Sequence, residues 1–583
     1  MCIGMLACYL SMQLAKASPA QRIKKFLPAL EMIFYCIPIL VGMIPLSPNA
    51  MVTTMIVSVV CIFGALVITF SGNGIQMSSS KANETFGFLG SLSLPIYLLH
   101  PVLISLFEYT GIQMPLWGWH LLIFPLSIGA AFLYHSISAI PLTSKEGKHC
   151  RMSGDSYKSK VTHPPEWIKL DHSANIYPAT MNRRLAAMFR LSVTLQDPID
   201  PAMLQSALDE TMPRFPSFGY RLRKGLFWDY FERIHEKAAV QTDAINPMIS
   251  ILSDRKQRFL FRIRYHHRQI ALEAFHALTD GTGALTFLMT LVAVYLHKKH
   301  GMTLETGRYV LDIHATPEQE ELKDSFPRYR GEHGQLTKET RAYHPRGTLI
   351  ASHLLHVITG VMSVDDVCEE AEKHGCTITV FLIAMMISAL QKQQEMERRK
   401  KRPIRIAVPA NLRTRFPSKT LRNFSYWMNP GINAQYGHYA LDEIIRLVQA
   451  QMQIALDPKD LCARFTGTLS AAGHPLFRFI PLFLKHWILN MGDALMGDAP
   501  CSQSLSNLGS IDVPTSMKPY LEEIRFLLGR SRGKAGSGSC VSYNGKLALT
   551  FTRKIHEATF ERLLFSSLVE MGIPVEIESN RLR

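Results

Sequence analysis

At 583 residues the chain is long enough for about three domain-sized units, and its 47% hydrophobic content is below that of a protein built only of membrane spans. Lys and Arg number 63 against 47 Asp and Glu, a net charge of +16, which suits a phosphate-rich ligand or simply a solvated surface. With no zinc-ligand spacing and no aromatic-basic platform, nucleic acid is not an expected partner; the ten cysteines are scattered with no C-x-x-C pair, which argues against a disulfide framework or a structural metal and fits a reducing compartment.

The charges are unevenly spread. Residues 1–143 hold only Lys16, Arg22, Lys24, Lys25 and Lys81, with the acids Glu31, Glu84 and Glu108. Four apolar segments, 27–46, 50–71, 86–108 and 115–140, each have the roughly twenty residues a helix needs to cross a bilayer. Residues 1–143 are therefore predicted as an α-helical transmembrane region of four or five spans. The short apolar run 1–15 reads as the end of a helix; a cleaved signal peptide competes, but no basic residue precedes the run and further spans follow directly. The loops 16–26 and 72–85 and the stretch 144–160 carry the basic residues, while 47–49 and 109–114 carry none. By the positive-inside rule the basic side is cytoplasmic. The expectation is a multi-pass protein of the cell membrane with everything after residue 144 in the cytoplasm.

Residues 144–165 are polar and mixed and read as a linker. Beyond them Phe189, Leu191, Val193 and Leu195 alternate with Arg190, Ser192 and Thr194, predicting a half-buried strand over 188–195. Asp200-Pro201 opens a helix, with aspartate at the cap and proline in its first turn. Phe259, Phe261, Ile263 and Tyr265 predict a strand, His266-His267-Arg268 a turn, and Ile270, Leu272 and Ala274 the returning strand. That strand runs into His276-Ala277-Leu278-Thr279-Asp280-Gly281, and a helix over 283–297 follows, with Ala284, Leu288, Leu291 and Tyr295 as its apolar side. Residues 316–346 are charged and aperiodic, predicting a long crossover loop. Ser363 caps a helix over 364–374. The apolar run 377–390 is too short to span a membrane and continues as a polar helix. The basic cluster Arg398–Arg402 at its end either complements the helix dipole or contacts a donor phosphate. Residues 404–408 read as a strand. Residues 475–491 are apolar but broken by Arg478, Pro481, Lys485 and His486, predicting a helix that touches a membrane surface.

Histidine is the usual base near neutral pH because its own pKa lies there, and His276 falls at a strand end just before a helix. Acyl transfer to an alcohol or amine needs such a base and a donor to the tetrahedral oxyanion. The His276-x-x-x-Asp280-Gly281 motif in this setting resembles the active-site motif of the chloramphenicol acetyltransferase-like superfamily, which includes condensation domains and alcohol acetyltransferases. Three further stretches resemble it in order: Val408-Pro-Ala-Asn411-Leu-Arg413 with Asn423-Phe424; Ser504-Leu-Ser506-Asn507-Leu-Gly509 through Pro514; and Leu549-Thr-Phe551-Thr with Phe560 and Gly572-Ile573. The resemblance spans roughly 175–580. It implies α/β architecture in two subdomains, 166–345 and 346–583, with the active site at their interface. It implies His276 as general base and Asp280 as a structural partner of an arginine, Arg413 or behind it Arg415; an N-cap role for Asp280 is compatible with that. Asn507 or Ser506 is the implied oxyanion donor, unless that segment is a turn closing the acyl tunnel. His276, Asp280 and Asn507 are thus the catalytic candidates, and Gly281, Arg413 and Ser506 the substrate-binding ones. Phe275 stands where many relatives have a first histidine. The implied co-substrate is an acyl-CoA, acetyl-CoA foremost, or an acyl carrier protein; the acceptor is a small or lipid alcohol. No bound cofactor and no metal is implied.

Within span 86–108, Gly90-Ser-Leu-Ser-Leu-Pro95-Ile-Tyr97-Leu-Leu-His100-Pro101 resembles a late helix of the integral-membrane O-antigen-type acyltransferases. That family has about ten spans and keeps its catalytic residues in early ones, so residues 1–143 resemble its C-terminal fragment and read as an anchor. Two alternatives stay open: acyl transfer to surface sugars inside the membrane around His100, an intramembrane histidine being costly unless it merely hydrogen-bonds near a helix end; and a condensation-like module that binds without turnover.

Overall fold

The computed structural model describes residues 160–580 except 162, 181–186, 245–246, 249–258, 336–338, 352–353, 399, 474–479, 493–498 and 531–532. The predicted spans, His100 and most of the 144–165 linker lie outside the described residues. Among the described residues no single helix is long and apolar enough to cross a membrane.

Three sheets form. The smallest joins β1 (Trp167–Lys169) to the hairpin of β3 (Tyr220–Lys224) and β4 (Asp229–Arg233), in the order β1-β4-β3. The N-terminal half builds β2 (Met188–Leu195), β5 (Val240–Thr242), β6 (Phe261–His266) and β7 (Gln269–Phe275). The C-terminal half builds β8 (His356–Ser363), β9 (Ile404–Asn411), β10 (Ser425–Met428), β11 (Gly431–Ile432), β12 (Gln503–Ser510), β13 (Leu521–Leu528), β14 (Gly536–Tyr543), β15 (Lys546–Arg553) and β16 (Glu576–Ser579). The large sheet runs β10-β9-β12-β14-β15-β8-β16, with β11 also on β9. The remaining sheet runs β13-β2-β7-β6-β5. A boundary at 345 thus separates the halves along the chain but not in space: β13 leaves the C-terminal half and pairs antiparallel with β2, Ile524 opposite Val193.

The helices are α1 (Ile176–Thr180), α2 (Pro201–Thr211), α3 (Gly281–His300), α4 (Gln319–Leu322), α5 (Val364–Lys373), α6 (Ile378–Met396), α7 (Leu441–Ala455), α8 (Pro458–Gly473), α9 (Leu482–Gly492) and α10 (Thr559–Glu570). Asp200 caps α2 through the backbone N–H groups of Ala202 and Met203, and Ser363 caps α5 through that of Asp366, as their sequences predict. Helix α3 corrects the one-sided stripe read from its sequence: every residue from Gly283 to Leu296 is buried. A helix apolar all round belongs inside a core. Its two threonines fit there because Thr286 donates to the Thr282 carbonyl and Thr290 to that of Thr286, at 2.9 and 2.8 Å. Helix α6 plays the same part in the C-terminal core.

Strand β2 is also corrected: it is buried on both faces. Its polar face carries Arg190, which reaches the fully buried Glu273 at 3.2 Å, and Glu273 also holds Arg262 and Arg264 at 2.9 and 3.2 Å. Alternation marks a face as polar, but charge pairing across strands lets that face be buried as well. The 316–346 segment is not structureless. It holds α4 and a 3-10 turn over Phe326–Tyr329, anchored by Glu321, whose carboxylate meets the Arg214 guanidinium at 2.6 and 2.9 Å. The first hairpin strand begins at Phe261 rather than Phe259, and β9 runs to Asn411, three residues past the predicted end.

Candidate active site

His276 follows the last residue of β7, and Asp280 precedes α3. Between them the chain makes a tight loop in which the Leu278 N–H donates to the Phe275 carbonyl at 2.9 Å. The loop is grasped by residues 420–424 of the other half. The Thr279 hydroxyl donates to the Leu421 carbonyl at 2.7 Å. The Phe424 N–H donates to Asp280 Oδ2 at 2.9 Å. Gly283 is required here: a Cβ on it would lie 2.3 Å from the Leu421 oxygen. The motif therefore sits where the two halves of the chain meet.

Asp280 has two tasks. Its Oδ1 accepts from the Gly283 N–H at 3.0 Å, capping α3. Its Oδ2 pairs with Arg413 Nη1 at 2.7 Å. Of the two arginines considered for this pair, the structure brings Arg413. All five guanidinium N–H groups of Arg413 are engaged: Nε on the Thr420 carbonyl, Nη1 on Asp280 and Asn411, Nη2 on the Thr420 and Arg422 carbonyls. A guanidinium so occupied ties the 411–424 loop to the motif.

The imidazole is held by residues that motif reading gave no role. His276 Nδ1 lies 3.0 Å from Asn423 Oδ1. Asn423 Nδ2 donates to the Ala277 carbonyl at 3.3 Å and to Asp171 Oδ2 at 3.1 Å. A backbone carbonyl only accepts, so the NH2 must point to Ala277 and the amide oxygen to His276. That oxygen only accepts in turn, so with the amide assigned this way the neutral ring carries its proton on Nδ1 and keeps a lone pair on Nε2. Asp171 is fully buried. It accepts from the Ala174 N–H at 2.7 Å and faces Arg422 Nη2 at 3.6 Å. Burial pushes its carboxyl above the ordinary carboxylate range, against the pull of Arg422 and the Asn423 amide. The half-buried ring of His276 is stacked on Tyr177 of α1, centroids 4.6 Å apart, and meets the edge of Phe189 at 5.2 Å. Asn423 stood in a quoted stretch without a role. Asp171 and Tyr177 are far from the motif in sequence; for Asp171 the hint was a lone aspartate after the strand Trp167–Lys169, and Tyr177 left none.

The other candidates fall on β12. Asn507 does not bond to the motif: Nδ2 donates to Thr379 Oγ1 at 2.9 Å and Oδ1 accepts from the Gly509 N–H at 2.8 Å. Ser506, half-buried, pairs in register with Ser539 of β14. After Asn507 the strand shifts register, and Gly509 takes a φ of 74°, a left-handed turn suited to glycine. This bulge brings Leu508 beside the motif, its Cδ2 3.0 Å from where a Cβ on Gly281 would stand. The bareness of Gly281 makes room for Leu508. Asn411 adds another tie, its amide donating to Thr282 Oγ1 at 3.1 Å. Two cavities, one beside Arg553 and Glu561 and one beside Gly307 and Pro514, are not lined by His276. Among the described residues no cluster of His, Cys, Asp and Glu could hold a metal ion.

No family model and no curated protein matches the chain. Solved structures do. TRI101 of F. sporotrichioides, in complex with coenzyme A and T-2, is 11% identical with a TM-score of 0.48, over 71% of this chain and 100% of that one. The TRI3 trichothecene 15-O-acetyltransferase from Fusarium sporotrichioides is 12% identical with a TM-score of 0.46, over 69% and 94%. Polyketide synthase associated protein 5 from Mycobacterium tuberculosis is 15% identical with a TM-score of 0.43, over 70% and 97%. At these identities and scores nothing about this chain's chemistry is drawn from them, and it has to be read from the site.

Proposed function

We propose that the chain is an acyltransferase, moving an acyl group from a CoA or carrier-protein thioester to the hydroxyl of a small or lipid alcohol. Acetyl is the expected group. Residues 1–143 are proposed as its anchor in the cell membrane, with the site on the cytoplasmic side. The observation that carries this reading is the 3.0 Å contact of His276 Nδ1 with Asn423 Oδ1, whose amide nitrogen donates to the Ala277 carbonyl: with the Nδ1 proton held there, neutral His276 offers Nε2 as a base. Nε2 takes the acceptor's O–H proton as that oxygen attacks the thioester carbonyl. The tetrahedral intermediate collapses, the C–S bond breaks, and the imidazolium returns its proton to the departing thiolate. Asp280 and Arg413 position the loop and touch no substrate. Asn507 has a second amide N–H beyond the one held by Thr379; with Ser506 it is the proposed donor to the oxyanion, an interaction typically worth about a hundredfold or more in rate.

The test uses the full chain with acetyl-CoA and a panel of alcohols, following free thiol. His276→Ala should lower the rate by about a hundred- to ten-thousandfold, the usual contribution of a general base. Undiminished activity of that variant would overturn the assignment. A wild-type chain that binds the donor yet never releases thiol would favour the binding-module reading.

A further inference from the structure

The 475–491 segment, which the reaction does not use, forms α9 over Leu482–Gly492. Phe483, Trp487 and Met491 recur every fourth residue and so share one face. That face is open, Phe483 being 72% exposed and Trp487 42%. Beside it lies the tip of the β3–β4 hairpin, where Leu226 is 72% and Trp228 54% exposed. The tip is clamped to the helix. The Leu482 N–H donates to the Leu226 carbonyl at 2.8 Å, Lys485 Nζ to the Phe227 carbonyl at 2.6 Å, and His486 Nε2 lies 2.6 Å from Asp229 Oδ2. Lys485 and Asp229 are themselves buried. Burying an ammonium and a carboxylate is costly unless each is paired, and here both fix the hairpin so that its apolar side chains stand outward.

A contiguous apolar face held rigid marks a docking surface. We propose that α9 and the β3–β4 tip dock on an anionic lipid bilayer and set the neighbouring site at its surface. Trp, Phe, Leu and Met on one side with cations at the flank is the composition that lies in a bilayer interface. The exposed Lys224 at the end of β3 supplies a cation drawn to anionic headgroups, beside Arg223, whose Nε is paired with Glu232 at 2.8 Å. The bilayer is also the environment expected for residues 1–143, which carry four span-length apolar stretches. The link to the chemistry is short: α9 packs on α1, and Tyr177 of α1 stacks on His276. On this reading the bilayer presents a lipid acceptor on the side of the site that α9 and α1 form. Only this acceptor-delivery part rests on the proposed acyl transfer.

The test places the full chain with vesicles of phosphatidylcholine and phosphatidylglycerol. The fluorescence difference between wild type and Trp228→Phe/Trp487→Phe isolates those two indoles. Bromine-labelled acyl chains should quench that difference more than aqueous iodide does. Quenching by iodide alone would show a face in water, and protection from both would show a cover of protein, from residues 1–159 or another copy; either overturns docking. Separately, Phe483→Glu/Trp487→Glu should raise KM for a long-chain alcohol in vesicles about tenfold, the scale of losing apolar burial, with kcat/KM for a short soluble alcohol held within about twofold. An equal loss on both acceptors would overturn delivery from the lipid. Quenching needs no turnover, so it reads the docking even if the acyl-transfer reading fails.

Discussion

Replacing Asn423 by alanine removes two things at once. The first is the acceptor of the His276 Nδ1 proton, 3.0 Å away. The second is an amide donor to the fully buried Asp171. The lost hydrogen bond is worth about 1 kcal/mol net, or roughly fivefold. The larger part is orientation, because the freed imidazole can place its proton on Nε2, where it no longer accepts. An enzyme whose orienting partner enforces the wrong tautomer loses about ten-thousandfold. Here the Tyr177 stack and the Phe189 edge still hold the ring, so a mixture of tautomers results and a fall in kcat of about ten- to a hundredfold is expected. KM should stay within about twofold, since Asn423 is not placed against substrate. Stability should drop by about 1–3 kcal/mol in denaturant titration as Asp171 loses a donor. Asn423→Asp separates the two effects. It keeps an acceptor for Nδ1 but sets a carboxylate beside the imidazole, which favours the charged ring and moves the acid limb of the pH–rate profile upward. Thiol release measured across pH reads all of this. If Asn423→Ala keeps kcat within about twofold while His276→Ala is inactive, Asn423 does not set the tautomer and the reasoning fails.

Arg413→Lys keeps the charge but cannot serve the carbonyls and carboxylate that the guanidinium holds, so a loss of about 3 kcal/mol is expected by urea unfolding, together with reduced turnover. Gly283→Ala forces a methyl against the Leu421 carbonyl and the Thr279 hydroxyl and should cost about 1–3 kcal/mol, seen as a lower Tm. Two half-buried groups near Asp171 predict opposite pH slopes. Burial pushes His172 down to about 4, so its neutral form is favoured and it removes stability as pH falls from 6.5 toward 4. Burial, with Asp171 nearby, pushes Asp324 up to about 6, so it removes stability as pH rises from 3.8 through 6. Relative to wild type, Asp324→Asn should make stability fall on acidification and His172→Asn should make it rise, each by up to about 3 kcal/mol across the window; denaturant titration from pH 4 to 7 checks the signs.

Much of the fold was legible where local chemistry decides it. Asp200, Ser363 and Asp280 announce helix starts because a side-chain oxygen must meet orphan N–H groups there. The hairpin around His267 reads off its alternating flanks. What alternation could not reveal was whether a polar face is wet: Arg190 and Glu273 look exposed in a one-dimensional pattern, yet pair across strands in the interior. The site divides the same way. His276 and Asp280 lie four residues apart and form a readable unit, and the Arg413 partner came from an ordered resemblance. Asn423 and Asp171 set the imidazole's proton from 147 and 105 residues away, distances over which spacing carries no information. Asn507 and Ser506 were placed by resemblance alone, and their link to the motif runs through Leu508, an apolar neighbour no chemical pattern would select.

Strand β13 has a consequence for how the molecule is made. The sheet behind His276 is short of an edge strand until residues 521–528 arrive, more than 300 residues after β2. On the ribosome, the N-terminal half therefore waits with one edge of β2 unpaired through the synthesis of most of the C-terminal half, a template for wrong pairings. Closing so long a loop makes this pairing late and slow. Once made, it bolts the halves together, and any movement of one half against the other has to come from sliding about that bolt or from the loops around it. Separately expressed halves should not assemble the site with the ease of two independent domains.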